Sequence, residues 1–274
     1  MNYCIIGGDE RYVYLSELLS GKCKTAMLSC PSQNSTENID LLIATSDVVI
    51  LPIPLTRDGL RLNVAHFPER EVNLKAILNQ AKNKKVFAGA VSLDILKEYP
   101  NITDFAKSEG FAYKNAVLTA EGCLSKMIEL ADKSIMNSNT LILGFGRIAK
   151  IMAKYLKQLG SDVTIIARNE KSLAEAHCNF FNTLVLTISA IDLAKYDYII
   201  NTIPHLVLKE DSLKTANKNA LIIDLASAPG GIDFTAADKL NLSTAHLLNL
   251  PGIYCPKTAA ELILEEINYT LEKE

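Results

Sequence analysis

The sequence lacks a long apolar run, an excess of basic charge and any paired-cysteine motif, and each absence removes a class of protein. No apolar stretch approaches the roughly 18–20 residues that a membrane helix needs. Lys and Arg number 28 against 31 Asp and Glu, a net charge of −3 over 274 residues. A basic patch is the electrostatic footprint of nucleic-acid or anionic-membrane binding, so neither partner is expected. The charges are spread along the chain, with no single-sign tail. The six cysteines (Cys4, Cys23, Cys30, Cys123, Cys178 and Cys255) form no C-x-x-C pair. The segment Met1 to Gly8 has neither a basic region nor a long apolar stretch, so it reads as neither a signal nor a transit peptide. A cytoplasmic location and free thiols are therefore expected. The four histidines (His66, His177, His205 and His246) show no metal-ligand spacing, and no metal is expected. No G-x-S-x-G, Walker or kinase pattern occurs. There is no internal repeat of solenoid length and no low-complexity tract.

Apolar residues are plentiful, at 49%, and strand-like runs alternate with helical patterns throughout. That alternation implies parallel sheets covered by helices on both faces. In the first half a strand at Tyr3–Ile6 ends in Gly7-Gly8-Asp9, and a helix follows over roughly Glu10–Ser20. Further strands are expected near Lys24–Leu28, at Asp47–Leu51 and at Lys85–Ala88, with a helix around Val72–Asn83. Pro52-Ile53-Pro54 stops the second of these, because proline cannot donate to a ladder. From Ala120 to about Asn137, helical spacing puts Leu124, Met127, Ile128 and Ala131 on one face and predicts a helix joining two domains.

The second half begins with a strand, Thr140–Leu143, that runs into Gly144-Phe145-Gly146-Arg147-Ile148-Ala149. An amphipathic helix follows, with Ile148, Ile151, Met152, Tyr155, Leu156 and Leu159 on one stripe, and Gly160 stands where a left-handed cap belongs. The next strand is Asp162–Ile166. This context makes Gly144-x-Gly146-x-x-Ala149 the phosphate-binding turn of a dinucleotide fold. Gly144 permits the tight turn, Gly146 lets a pyrophosphate approach the backbone, and Ala149 lets the helix pack close to the strand. Arg147 and Ile148 open a helix whose N–H groups and partial positive charge suit phosphate. NAD sites usually place an acid about 20 residues further on. This chain has Arg168-Asn169 there, which can pair with and hydrogen-bond a 2′-phosphate, so NADP is favoured over NAD. Later strands are expected at Tyr198–Asn201, Ala220–Asp224 and Thr244–Leu248. Ligands of open α/β sheets bind past the carboxyl ends of strands. That makes Thr202 and Pro204, and then Ala226 and Ser227, cofactor-binding candidates.

The expected fold is α/β, two domains with parallel sheets. A flavodoxin-like domain spans 1–119, a linking helix 120–138 and a Rossmann NAD(P)-binding domain 139–255. A C-terminal helix over 256–274 returns to the first domain.

The first half supplies substrate-binding candidates. Asp9 can cap the helix after the glycine turn. Arg11 would sit in that helix's first turn, facing an anion or solvent. Arg57, in Thr56-Arg57-Asp58-Gly59, is a second candidate carboxylate clamp. Thr119 can cap the linking helix, with Glu121 in its first turn where the helix dipole alone would favour it. Lys257 follows Pro256 at another helix start. His205 follows the Asn201–Pro204 loop and is, with Glu121, a candidate for proton transfer.

Several of these stretches together resemble one family. Ile6-Gly-Gly-Asp9-x-Arg11, Leu51-Pro-x-Pro54, Thr119-x-Glu121-Gly122, Gly144-x-Gly146-Arg147, Asn201-Thr-Ile-Pro204, Asp224-Leu-Ala-Ser-x-Pro-Gly-Gly231 and Leu250-Pro-Gly-Ile253-x-x-Pro256-Lys-Thr-Ala259 resemble the A subunit of dipicolinate synthase. The likeness spans nearly the whole chain and keeps motif order. It implies an oxidoreductase that converts a hydroxytetrahydrodipicolinate-type dicarboxylate to dipicolinate during endospore formation, with NAD(P) as hydride acceptor. It also implies a partner, the smaller, flavoprotein-like B subunit of dipicolinate synthase, and a homo-oligomer is expected. His205 and Arg57 lie outside the matched motifs. Competing readings are a 2-hydroxyacid or shikimate-type dehydrogenase, or a non-catalytic NADP-binding regulator or scaffold.

Overall fold

A computed structural model of the chain describes residues 1–19, 21, 23–26, 38–65, 71–187 and 191–273. The chain divides into two compact units, Met1–Asn115 with Pro251–Glu274, and Ala116–Leu250. The first contains β1 (Tyr3–Ile6), α1 (Glu10–Leu18), β2 (Cys23–Ala26), α2 (Ile39–Thr45), β3 (Val48–Ile50), α3 (Leu74–Gln80), β4 (Lys85–Ala88), α4 (Leu93–Glu98) and β5 (Ile102–Asp104). Helix α5 (Glu109–Leu130) starts in this unit and ends in the second. The second contains β6 (Asn139–Leu143), α6 (Arg147–Gln158), β7 (Asp162–Ala167), α7 (Glu170–Cys178), β8 (Asn182–Val185), β9 (Tyr198–Asn201), α8 (Glu210–Leu213), β10 (Leu221–Asp224), α9 (Phe234–Lys239) and β11 (Ser243–His246). Helices α10 (Leu250–Tyr254) and α11 (Pro256–Lys273) end the chain.

The first sheet has the order β2-β1-β3-β4-β5, all parallel, which is the flavodoxin-like order. Strands β1 and β3 are apolar and buried on both faces, as a sheet covered by helices on both sides requires. Cys4 and Ile6 join one core cluster with Leu42, Val49, Leu74 and Leu78. Tyr3 and Ile5 join another with Tyr12, Leu15, Phe105 and Phe111. The C-terminal helix α11 puts Ala260, Ile263 and Ile267 into that second cluster, so the last residues of the chain complete the core of the first unit.

The second sheet has the order β11-β10-β9-β6-β7-β8, again all parallel. Numbered within the unit this is 6-5-4-1-2-3, the dinucleotide-binding order. Leu141, Leu143, Ile199 and Ile222 pack with Leu208, Leu213 and Ala237 over one face. Among the described residues no helix is long and apolar enough to cross a membrane.

Local boundaries differ from the sequence reading in several places. The helix expected over Ala120–Asn137 begins at Glu109 and ends at Leu130, with Ser108 Oγ accepting from Phe111 N at its start. Gly110 and Gly122 lie within it, because tertiary contacts outweigh the roughly 1 kcal/mol that glycine costs a helix. Met127 is buried as expected, but Ile128 is 71% exposed. The helix expected over Val72–Asn83 is shorter, because the Asn73 side chain caps it through Ala76 N. Of the strand expected near Lys24–Leu28, Met27 and Leu28 lie outside the described residues, as do Ser20, Cys30 and His66.

Ile263 has no exposed surface and sits among Tyr12, Leu15 and Phe105. Replacing it by Ala should cost about 2–5 kcal/mol of stability. Urea denaturation would read this as a lowered midpoint, and an unchanged midpoint would show that α11 is dispensable to the first unit.

Candidate functional site

The strand order of the dinucleotide-binding sheet reverses between β6 and β9, and the crevice at such a switch point is where ligands bind. On the β6 side, Gly144 takes φ +97°, which L side chains rarely adopt, and a Cβ there would lie 2.5 Å from Thr202 Oγ1. Gly146 is the N-cap of α6 and supplies no side-chain cap. A Cβ on Gly146 would meet nothing within 4 Å, so the space over this turn is open. Ala149, in the first turn of α6, is fully buried. A turn closed at Gly144, open over Gly146 and followed by a twelve-residue helix fits a pyrophosphate on the α6 N-terminus.

On the β9 side, Thr202 is tied to the same turn, its N and Oγ1 both donating to Leu143 O at 3.0 and 2.8 Å. The next loop is held by a buried carboxylate. Asp224, at the end of β10, has no exposed surface. Its Oδ1 accepts from Asn201 Nδ2 at 2.8 Å and Ala226 N at 3.0 Å, and its Oδ2 from Gly231 N at 2.7 Å. Asn201 also bonds Ile203, donating to its O at 3.0 Å and accepting from its N at 3.1 Å. Gly231 is forced by crowding, since a Cβ would lie 2.3 Å from Asn201 Nδ2 and 2.6 Å from Ile203 O. His246 Nε2 lies 2.9 Å from Ala226 O. The loops after β9 and β10 are thus locked together, with Ser227 exposed on the rim and Ala226 beneath it.

Arg168 stands exposed just past β7. It lines a cavity of about 330 Å³ with Ile203, His205, Leu206 and Lys209 from the loop after β9. Asn169 is committed to capping α7, its Oδ1 accepting from Ser172 N at 3.2 Å. Arg147 and Ile148 occupy the first turn of α6, with Pro204 exposed across the switch point.

In the first unit the corresponding switch point lies between β1 and β3. Gly7 and Gly8 take φ +75° and +108°, and Gly8 N donates to Asn63 O at 3.0 Å. Asp9 caps α1 through Arg11 N. Arg11 is not the open anion clamp that its position suggested. It is 4% exposed, with Nε and Nη2 donating to Asp9 at 2.8 and 2.6 Å and Nη2 also to Ile53 O at 2.7 Å. Burial opposes its charge, but the Asp9 carboxylate outweighs this and raises the Arg11 pKa above the ordinary arginine value. The pair ties the β1 turn to the loop after β3. Arg57 is exposed on that loop beside a cavity of about 210 Å³ lined also by Arg61, Leu62, Asn63 and Val64. Its neighbour Asp58, also exposed, accepts from the Arg61 and Leu60 amides at 2.8 and 2.9 Å, which hold its carboxyl below its usual range.

Thr119 and Glu121 need correction. Both lie inside α5, about three turns from its start, so Thr119 caps nothing and Glu121 feels no helix N-terminus. Lys257 is the second residue of α11 and is exposed. Cys4 and Cys123 are fully buried, and burial pushes their thiols up to about 11 and about 12.

Comparison with known proteins fits this geometry. Residues 2–105 match the N-terminal domain of the dipicolinate synthase A subunit, and residues 93–230 match the NAD binding domain of D-isomer specific 2-hydroxyacid dehydrogenases. The dipicolinate synthase A subunit of Bacillus subtilis is 31% identical over 235 residues, 82% of this chain and 77% of that one. The chain belongs to the family of the dipicolinate synthase A subunit. A crystal structure of the Bacillus halodurans A subunit superposes with a TM-score of 0.84 at 27% identity, covering 100% of this chain and 98% of the other. An NAD-complexed D-2-hydroxyacid dehydrogenase from Lactobacillus delbrueckii shares the fold, with a TM-score of 0.58 at 12% identity over 99% and 98% of the chains. This family member therefore carries a dehydrogenase-type domain for a nicotinamide dinucleotide.

Sequence reasoning missed the Asn201–Asp224–Gly231 lock and Lys209. A strand-end Asp followed by paired glycines was the available signal for the lock. Two glycine substitutions separate binding from folding. Gly231→Ala should destabilise the second unit by about 1–3 kcal/mol, because backbone crowds the new methyl. Gly146→Ala should leave the melting temperature unchanged and weaken dinucleotide binding about tenfold or more, by filling the open space over the turn. Equal melting shifts for the two, measured beside titration calorimetry, would contradict this assignment.

Proposed function

We propose that this chain is a cytoplasmic oxidoreductase that makes dipicolinate during endospore formation, with NADP as hydride acceptor and the dipicolinate synthase B subunit for partner. The observation that carries the reading is the Gly144–Ala149 turn at the switch point of a dehydrogenase-type sheet, in a chain 31% identical to the dipicolinate synthase A subunit of Bacillus subtilis. Arg168, where NAD sites usually hold an acid, favours NADP. The substrate would be a 4-hydroxytetrahydrodipicolinate-type dicarboxylate. It would lose one water, then pass one hydride to the nicotinamide and one proton to a base, leaving an aromatic pyridine ring. A dicarboxylate wants cations, and Arg57 and Lys257 are the exposed ones among the substrate-binding candidates of the first unit. Arg11 would act by holding the loop that presents Arg57. Glu121, exposed on α5, is the proton acceptor in this reading.

The test is NADP reduction by the purified chain supplied with freshly made hydroxytetrahydrodipicolinate, with and without the B subunit. Nicotinamide absorbance and dipicolinate should rise together. Arg57→Gln should raise KM about tenfold or more, the loss of one charge-assisted clamp. Tight NADP binding without turnover in either mixture would overturn the reading.

A further inference from the structure

Most cations of the second unit are spoken for. Lys133 pairs with Asp197, Lys150 with Glu175 and Lys214 with Glu210, at 2.7, 2.7 and 2.8 Å. Lys157 donates to Phe180 O and Lys218 to Leu240 O, at 2.6 and 2.9 Å. Arg168, His205 and Lys209 differ. Among the described residues none of these three side chains has a hydrogen-bond or ion-pair partner, yet all three line the same cavity of about 330 Å³. They arrive from two elements, Arg168 from the end of β7 and the other two from the loop between β9 and α8. The acid on the cavity wall, Asp211, is 86% exposed and lies 4.0 Å from Lys214. Two unpaired cations and an unpaired imidazole N–H donor converging on one concavity make an anion site.

The position of the cavity says which anion. The end of the second strand of a dinucleotide fold meets the adenosine ribose. A cavity that joins that strand end to the loop after β9 lies on the adenosine side of the switch point. Its apolar wall, Leu186, Ile191, Ile203, Leu206 and Val207, suits a flat base.

We propose that His205 and Lys209 complete, with Arg168, a cradle for the 2′-phosphate of NADP. His205 is then a residue of cofactor specificity rather than of proton transfer. The proposal rests on the NADP reading above and extends it to a loop that sequence alone did not connect to Arg168. The Asn201–Asp224 lock serves the cradle too, because Gly231 packs against His205 O and fixes the loop that carries both side chains.

The experiment measures NADP and NAD affinities of the full chain by titration calorimetry, with circular dichroism to verify folding. The wild-type chain should prefer NADP. Lys209→Ala and His205→Ala should each weaken NADP about tenfold and leave NAD within about twofold, since charge-assisted bonds to one phosphate are removed. His205→Gln, which keeps a donor and bulk, should recover part of the loss. If NADP is preferred and the variants leave both affinities unchanged, or lower both equally, the cradle is wrong while the NADP reading stands. If the wild-type chain shows no preference, both are wrong.

Discussion

Asp224 sits at the end of a central strand with no exposed surface, and among the described residues no cation pairs with it. A buried carboxylate is tolerated only when hydrogen bonds satisfy it. Here Asn201 and the amides of Ala226 and Gly231 do so. The consequence reaches well beyond one side chain. Satisfying Asp224 pulls the loops after β9 and β10 into one arrangement, and Asn201 carries it to Ile203 and the cavity-lining loop. Thr202, next in sequence, holds the glycine turn through Leu143 O. The loops after β9 and β10 are therefore fixed through Asp224 and Asn201, and the half-buried Thr202 ties the start of the β9 loop to the glycine turn.

The first unit repeats the same logic with different chemistry. There the buried charge is a pair, Asp9 with Arg11, and it ties the turn after β1 to the loop after β3. Burying an ion pair is costly unless the remaining donors are satisfied, and Ile53 O satisfies one more. In each unit the buried charge organises the strand ends at the switch point, while cations nearby (Arg57 in the first, Arg168 and Lys209 in the second) stay exposed. Burial and partnership, more than residue type, separate the structural charges from those proposed for ligands.

That distinction explains what the sequence could and could not show. The two parallel sheets, the glycine turn and the long amphipathic stripe of α6 were legible, because hydrophobic period and glycine position are local signals. The start of α5 was not, since Gly110 and Gly122 resemble breaks and only packing shows that the helix runs through them. Thr119 and Glu121 were misread as helix-start residues for that reason. Arg11 looked like a clamp because its partner, Asp9, read as a simple cap. His205 reads as a proton-transfer candidate because loop order places it near the switch point, whereas the proposed cradle gives it to the cofactor. Its neighbour across the cavity, Arg168, lies 37 residues away and joins it only in the folded sheet.

On the proposed reading a nicotinamide dinucleotide lies across the β6–β9 switch point with its pyrophosphate on α6. The most direct measurement is a crystal structure of the chain with NADP bound. The account predicts phosphate oxygens against the amides of Gly146 to Ile148 and the adenosine in the cavity walled by Arg168 and His205. A dinucleotide bound elsewhere, or bound with its adenosine outside that cavity, would contradict it.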